Sequence, residues 1–337
     1  MTISLTSLQG RSSAQVSNLR DMNIQLNELQ RQIGTQKKTD TYSGLGTDTT
    51  RVQRLRADVN SAEIYMKNIT FTETKMKIMS NTMLSITDQA RDVTQNIQLQ
   101  TRDGEIDLHA LQTIAGEALN AIMDMLNIDN DGNHLFAGTD LNNQPIADSN
   151  AVHLNTQAEI ANWLAGGQSP TDVVTNVNGF SEAELGYSAS INAAGDVITR
   201  IDTNLEVNFT QLGNAEGFQD IIKGLSIAAN LEYPDPAVDV ATDEEFHDLL
   251  DQTLTLISGG IQKTDSDNAV LTGKFNLLKS VEERHQQDTF VFGEMISEIE
   301  DVDTTQVIAE FQALQNQMNA AYEVTSVIGR LSLVNFL

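Results

Sequence analysis

The sequence predicts an α+β protein: a long antiparallel helical coiled-coil rod drawn from both chain ends, with a central β-rich inserted domain. Three observations lead there. Apolar residues recur at heptad spacing near both termini. The flanking regions contain no proline, because all four (Pro145, Pro170, Pro234, Pro236) fall within residues 134–240. That same stretch is rich in Gly, Asn, Asp and Thr, the residues of turns.

The elements follow in order. From Leu8, steps of three and four reach Ser12, Gln15, Leu19, Met22, Leu26, Leu29 and Ile33, an incomplete apolar seam. Thr39–Asp48 (TDTYSGLGTD) carries two glycines and ends that helix, and Thr47 or Asp48 reads as the N-cap of the next. A very long helix then runs to about residue 101. Its seam is Val52, Leu55, Val59, Ala62, Met66 and Ile69. The phase breaks near Phe71–Glu73 and resumes at Met76, Met79, Met83, Ile86, Ala90, Val93 and Ile97. Arg102-Asp103-Gly104 reads as a turn, and a helix over about 105–127 follows, with Leu108, Leu111, Ala115, Ala118, Ile122 and Met125 on one face.

On the return side, Phe246, Leu249, Leu250, Leu254 and Ile257 predict a helix over 243–260. Leu271, Phe275, Leu278, Phe292, Met295 and Ile299 predict another over 265–301. A last helix over about 303–332 carries Val307, Phe311, Leu314, Met318, Ala321, Thr325 and Ile328 at strict 4-3 spacing. Within the insert, residues 196–201 and 205–210 alternate as strands, and 158–164 reads as a short helix around Trp163, expected in the core. The expected domains are 1–46 with 303–337 (terminal assembly), 47–133 with 241–302 (helical rod) and 134–240 (inserted, β-rich).

Composition narrows the function. The chain has 337 residues, 40% hydrophobic but only 5% aromatic, which suits heptad seams filled by Leu, Ile, Met and Val. It has no cysteine, so disulfides and Cys-ligated metals are excluded. The net charge of -27 is divided unevenly: residues 1–100 hold 12 basic and 9 acidic residues, and the remainder 8 and 38. Such acidity repels nucleic acid and anionic membrane surfaces. No apolar stretch approaches the roughly 20 residues of a membrane helix, so no membrane insertion is expected. The N-terminal residues lack the basic segment and apolar core of a Sec signal, and any export is expected to use another route.

No chemical constellation emerges. Asn127–Gly132 (NIDNDG) copies the start of a calcium loop, but the twelfth position, where a bidentate Glu belongs, is Gly138, and a turn is the reading adopted. His109, His134, His153, His247 and His285 form no ligand pair, and no nucleotide or nucleophile motif is present. No enzyme activity, no catalytic residue, no metal and no cofactor are expected.

The paired terminal heptads, the segment His134–Asp140 (HLFAGTD) followed by Gln144-Pro145-Ile146, and the ending Gly329–Leu337 (GRLSLVNFL) together resemble the flagellin family. The second and third features are most similar to its hook-associated members at the hook–filament junction. The family's usual residues after the first helix are replaced here by Ser43–Asp48 (SGLGTD). The resemblance implies an extracellular structural subunit of the bacterial flagellum, exported unfolded by the flagellar type III route under an export chaperone. It implies self-assembly into a ring, between a sister hook-associated protein and flagellin. Assembly contacts are assigned to Leu8, Leu19, Met22, Leu26, Leu29, Ile33, Val307, Phe311, Leu314, Met318, Ile328, Leu331, Leu333 and Phe336. A filament flagellin is the alternative within the family, and a secreted coiled-coil adhesin or translocator the alternative outside it.

Neither terminal helix has a wide apolar face, and such helices are marginal alone. In dilute monomer the backbone amides of residues 8–33 and 307–328 are therefore expected in the fastest class of hydrogen exchange. Strong protection of both segments would contradict this.

Overall fold

The computed structural model describes residues 3–103 and 107–334, with side chains described over 13–100 and 107–327. In chain order the elements are α1 (Ile3–Thr35), α2 (Thr49–Asp103), α3 (Leu108–Leu126), β1 (Asp129–Asn130), β2 (Asn133–His134), α4 (Ala151–Leu164), α5 (Pro170–Asn178), β3 (Ile198–Asp202), β4 (Leu205–Asn208), α6 (Glu216–Asn230), α7 (Asp243–Glu300) and α8 (Thr304–Val334). Short 3-10 turns occupy Tyr42–Asp48 and Ile191–Ala193. The chain divides into two compact units, one from Met1–Glu63 and Gln286–Leu337, the other Ile64–His285. No described helix is long and apolar enough to cross a membrane.

The larger unit owes its core to the apolar seams. On α2 every seam residue from Met76 to Ile97 is buried, as are Leu111, Ala115, Ala118 and Ile122 on α3. At the phase break the inward positions become Thr72 and Lys75, both buried, so the seam is interrupted by polar groups where the heptad slips. Helix α6 is the hub: α3 and α4 both pack along it. Phe218 on α6 meets Phe136 edge-on, with ring centroids 5.7 Å apart. Trp163 is fully buried, as expected from its apolar neighbours.

Two expectations are overturned. The two helices expected over 243–260 and 265–301 are one, Asp243–Glu300. The helix continues through Gly259 and Gly260, and Gly260 serves a close helix crossing. A Cβ there would lie 2.8 Å from the Gly217 carbonyl oxygen and from Ile221 of α6. Facing it, a Cβ on Gly217 would lie 2.6 Å from Thr264 Oγ1, and one on Gly224 would collide with Ile257. Two helices approach this closely only where side chains are missing, and the packing gained outweighs the roughly 1 kcal/mol helix penalty of a glycine.

The insert is not β-rich either. It holds α4, α5 and α6, and its only strand pairing among described residues outside the first hairpin and one isolated bridge is β3–β4, antiparallel with a bulge between Arg200 and Asp202. Helix α5 starts with a reciprocal capping box between Ser169 and Asp172 and a proline in its first turn, a start signal inside a polar stretch. Helix α6 carries buried Phe218, Ile221, Ile222 and Leu225, a helical stripe hidden by its two glycines. The β3–β4 hairpin matches the alternation in the sequence. It is tied down where His285 Nε2 meets the Ile201 carbonyl at 2.8 Å and where Arg284 pairs with Asp202.

The calcium-like loop is a hairpin. Asn130 pairs with Asn133 across a two-residue turn, Asp131 (φ 55°) and Gly132 (φ 78°), the Asp-Gly sequence that a type I′ turn favours. Among the described residues no group of three His, Asp or Glu is placed to hold a metal ion.

Replacing Gly260 with Val is expected to destabilise the protein by about 1–3 kcal/mol through overpacking against α6. Gly273→Ala, also on α7, meets nothing within 4 Å and is expected to stabilise by about 0.5–1 kcal/mol. Urea denaturation followed by circular dichroism reads both signs.

Candidate assembly interface

The two terminal seams meet each other. Helices α1 and α8 pack together in one unit. Leu19, Met22, Leu26, Leu29 and Ile33 of α1 are half-buried, as are Phe311, Leu314 and Met318 of α8, and Val307 is buried. The remaining expected contacts, Leu8, Ile328, Leu331, Leu333 and Phe336, lie outside the described side chains.

The burial is incomplete for a geometric reason. One helix can cover only one side of another, and an apolar stripe wider than the seam stays wet. Val16 is 62% exposed, Ile24 58%, and Val324 and Val327 52% each. Between the helices lies a groove of about 270 Å³ lined by Gln15, Leu19, Met22, Ala321 and Val324, opened by the small side chains of Ala320 and Ala321. Gln15, Asn18 and Thr325 along its walls leave polar positions beside the apolar floor.

A polar latch sets where the two helices enter the pair. The α1 chain turns at Gln36, whose φ is 59°, and then runs beside the α7–α8 junction. Lys38 N donates to the Glu300 carbonyl at 2.7 Å and Val302 N donates to Gln36 O at 3.0 Å, so that the Lys37 and Asp301 backbones pair as a single antiparallel β-bridge. The Lys38 ammonium donates to the carbonyls of Glu298 (3.0 Å) and Ile299 (2.7 Å), capping the last turn of α7 with positive charge. The Glu300 carboxylate, on a residue only 7% exposed, takes Lys37 at 3.1 Å and Arg56 at 2.8 Å. Arg31 adds pairs to Glu28 and, at 2.6 Å, to Asp40. Burial pushes the Glu300 carboxyl upward, but the two cations together hold it below the usual glutamate range.

In Tyr42–Asp48 the turn requires glycine twice. A Cβ on Gly44 would collide with Thr39, and Gly46 has φ 57°. The turn carries Tyr42 to within 5.9 Å of the Arg56 guanidinium, a cation–π contact on the same arginine that binds Glu300. Sequence reasoning missed this latch. Its parts are separated by over 240 residues (Arg56 to Glu300) and none forms a local motif.

The segment 127–146 is a clamp inside the larger unit. The Asn127 side chain donates to Ile146 O at 3.0 Å and accepts from Ile146 N at 2.8 Å. The Asn127 carbonyl meets His134 Nδ1 at 2.7 Å. Gly138 has φ 61°, and a Cβ there would lie 2.8 Å from Leu212 and 2.9 Å from Gly195 O, so the Leu-Phe-Ala-Gly run demands its glycine. Gly213 N donates to Phe136 O at 2.7 Å, and Tyr187 OH donates to Gly213 O at 2.9 Å. Full burial pushes the Tyr187 hydroxyl well above its usual range, so it serves as a donor.

No protein-family model matches the sequence, and no curated protein matches it. Among solved structures, the fold is similar to a flagellar hook-associated protein from Vibrio parahaemolyticus, with a TM-score of 0.55 at 11% identity over 75% of this chain and 97% of that one. FlgL from Bacillus cereus aligns over 75% of this chain and 98% of its own at 12% identity, with a TM-score of 0.40. Only the first likeness bears on the fold, and it fits the long helices with small sheets described above.

Glu300→Gln removes the charge that Lys37 and Arg56 share. The cost expected at neutral pH is about 1–2 kcal/mol, reduced from the strength of a buried pair because both cations are half in water. The carboxyl is held low in the folded state, so its stabilisation is present above roughly pH 4.3 and fades as pH falls through the folded value. Urea unfolding of parent and variant at pH 7 and pH 3.5 should show a gap that narrows in acid. An equal gap at both would exclude the ion pairs as its source.

Proposed function

We propose that the chain is a structural subunit of the bacterial flagellum, an adaptor of the hook-associated protein 3 type at the hook–filament junction. It leaves the cell unfolded, with an export chaperone, and polymerises outside through residues 1–46 and 303–337. Its neighbours are further copies of itself in a ring, a sister hook-associated protein on one side and flagellin on the other. The role is mechanical, with no reaction and no cofactor.

The observation that carries this reading is the half-covered apolar stripe of the α1–α8 pair. A two-helix seam that leaves Val16, Ile24, Val324 and Val327 in water gains from further helices of the same kind. The hook-associated fold of the Vibrio protein supports it, as do the Leu-Phe-Ala-Gly clamp and the Leu-Ser-Leu-Val-Asn-Phe-Leu ending that resemble the junction branch. The glutamine and asparagine among the groove residues favour a packed but adjustable contact rather than a fixed core.

Leu314 sits half-buried in the seam, and Leu314→Asp places a charge where neighbouring helices must pack. The variant is expected to be secreted at the parental level and to leave cells non-motile. Normal swimming would remove the assignment. Electron microscopy of a deletion strain is expected to show hooks without filaments and flagellin in the medium. Filaments of altered form would instead indicate a filament subunit, and unchanged flagella with lost surface attachment an adhesin.

A further inference from the structure

Within the larger unit two surfaces are unfinished in opposite ways. The first is a groove of about 290 Å³ along α2 and α7, with Met76, Leu271 and Phe275 as an apolar floor and Lys77, Ser80 and Asn81 on its wall. The helix segments that line it, residues 76–81 and 271–275, carry Lys77 and Lys274 and no acid. Those two positive charges stand on a chain of net charge -27. Lys67, Lys77 and Lys274 make no ion pair among the described residues, while Lys75 sits over the Phe71 ring at 4.5 Å.

The second surface is a knob between α6 and α7. Residues 231–242 carry three carboxylates, Glu232, Asp235 and Asp239, and no base, and Asp243, Glu244 and Glu245 follow in the first turn of α7. Both ends of the knob are anchored. The Tyr233 ring packs on buried Phe246, with centroids 4.9 Å apart, and Val240 N donates to Leu164 O at 2.9 Å. The tip is rigid: Asp235 N donates to the Asp239 carboxylate at 2.8 Å, Ala237 N donates to Asp235 Oδ1 at 2.9 Å, and Val238 N donates to the Asp235 carbonyl at 2.9 Å. Pro234 and Pro236 restrict it further. This framework holds Val238 out in water, 81% exposed. A valine fixed on a rigid, acid-ringed turn costs little ordering to bury, which favours docking.

We propose that the Val238 knob of one copy docks in the α2–α7 groove of a second copy. Apolar tip meets apolar floor, and the acidic rim meets the basic band. In the single chain the groove is open and Val238 is solvated, so the contact joins two molecules. Knob and groove are different patches, which makes the association head-to-tail, the kind that closes into a ring or continues as a filament. This goes beyond the terminal-helix assembly proposed above and is tested on purified chain, so it can fail while that reading stands.

Because the chain contains no cysteine, single thiols report the contact. Purified full-length Val238→Cys and Asn81→Cys variants, mixed under mild oxidation, are expected to form a disulfide-linked dimer at least ten-fold faster than either variant alone. Leu154→Cys, also well exposed in the same unit, mixed with Asn81→Cys is the control for random encounter. Adding Lys77→Glu and Lys274→Glu to the Asn81→Cys chain should slow the mixed reaction about ten-fold, with circular dichroism confirming the fold. A mixed rate equal to the control overturns the proposal. So does a faster Val238→Cys self-reaction, which would mean knob against knob, or indifference to the charge reversals.

Discussion

Two helices bury only the strip along which they touch, and the α1–α8 pair is organised around that limit. α1 and α8 spend their best apolar residues on each other, yet a two-helix layer has an outer side that no part of the pair can reach. The result is a seam of half-buried Leu, Met and Phe with valines and an isoleucine left in water. In the larger unit, α3, α4, α5 and α6 supply the additional layers, and its seam residues are almost all below a few per cent exposure. The contrast is in layer number more than in sequence, since both units use the same aliphatic, aromatic-poor vocabulary.

The latch at Glu300 complements this weak packing with polar geometry. It binds the exit of α1 to the α7–α8 junction through two cations, a short bridge and the capping of α7 by Lys38. A buried carboxylate with two hydrogen-bonded cations is demanding in position and modest in net energy. It therefore defines where the terminal helices leave the junction more than how stable they are. Terminal helices held at a defined start but loosely packed along their length suit a subunit whose ends gain contacts from neighbouring copies.

The larger unit shows how glycine can serve opposite ends. Gly217, Gly224 and Gly260 are absent side chains at a helix crossing, and Gly138 and Gly132 are positive-φ turns. From the sequence all five look like interruptions. Only the packing partner distinguishes them. The insert is helical for a related reason: the polar stretch 169–178 and the glycine-bearing stretch 216–230 are helices because a capping box or a buried stripe outweighs composition.

What the sequence by itself determined was periodic. Heptad spacing placed α1, α2, α3 and α8 with their inward faces, down to the slip at Phe71–Glu73 where Thr72 and Lys75 turn inward, and alternation placed β3 and β4. The seam half of the candidate interface was legible for the same reason: Leu19 to Ile33 and Val307 to Met318 repeat within one element. What only the tertiary structure decided was non-local. The Glu300 latch joins residues at opposite ends of the chain, the glycine crossing needs two helices at once, and the clamp between Asn127 and Ile146 needs a folded hairpin between them. Local spacing encodes which side of an element turns inward, and it carries no record of which distant backbone will be waiting there.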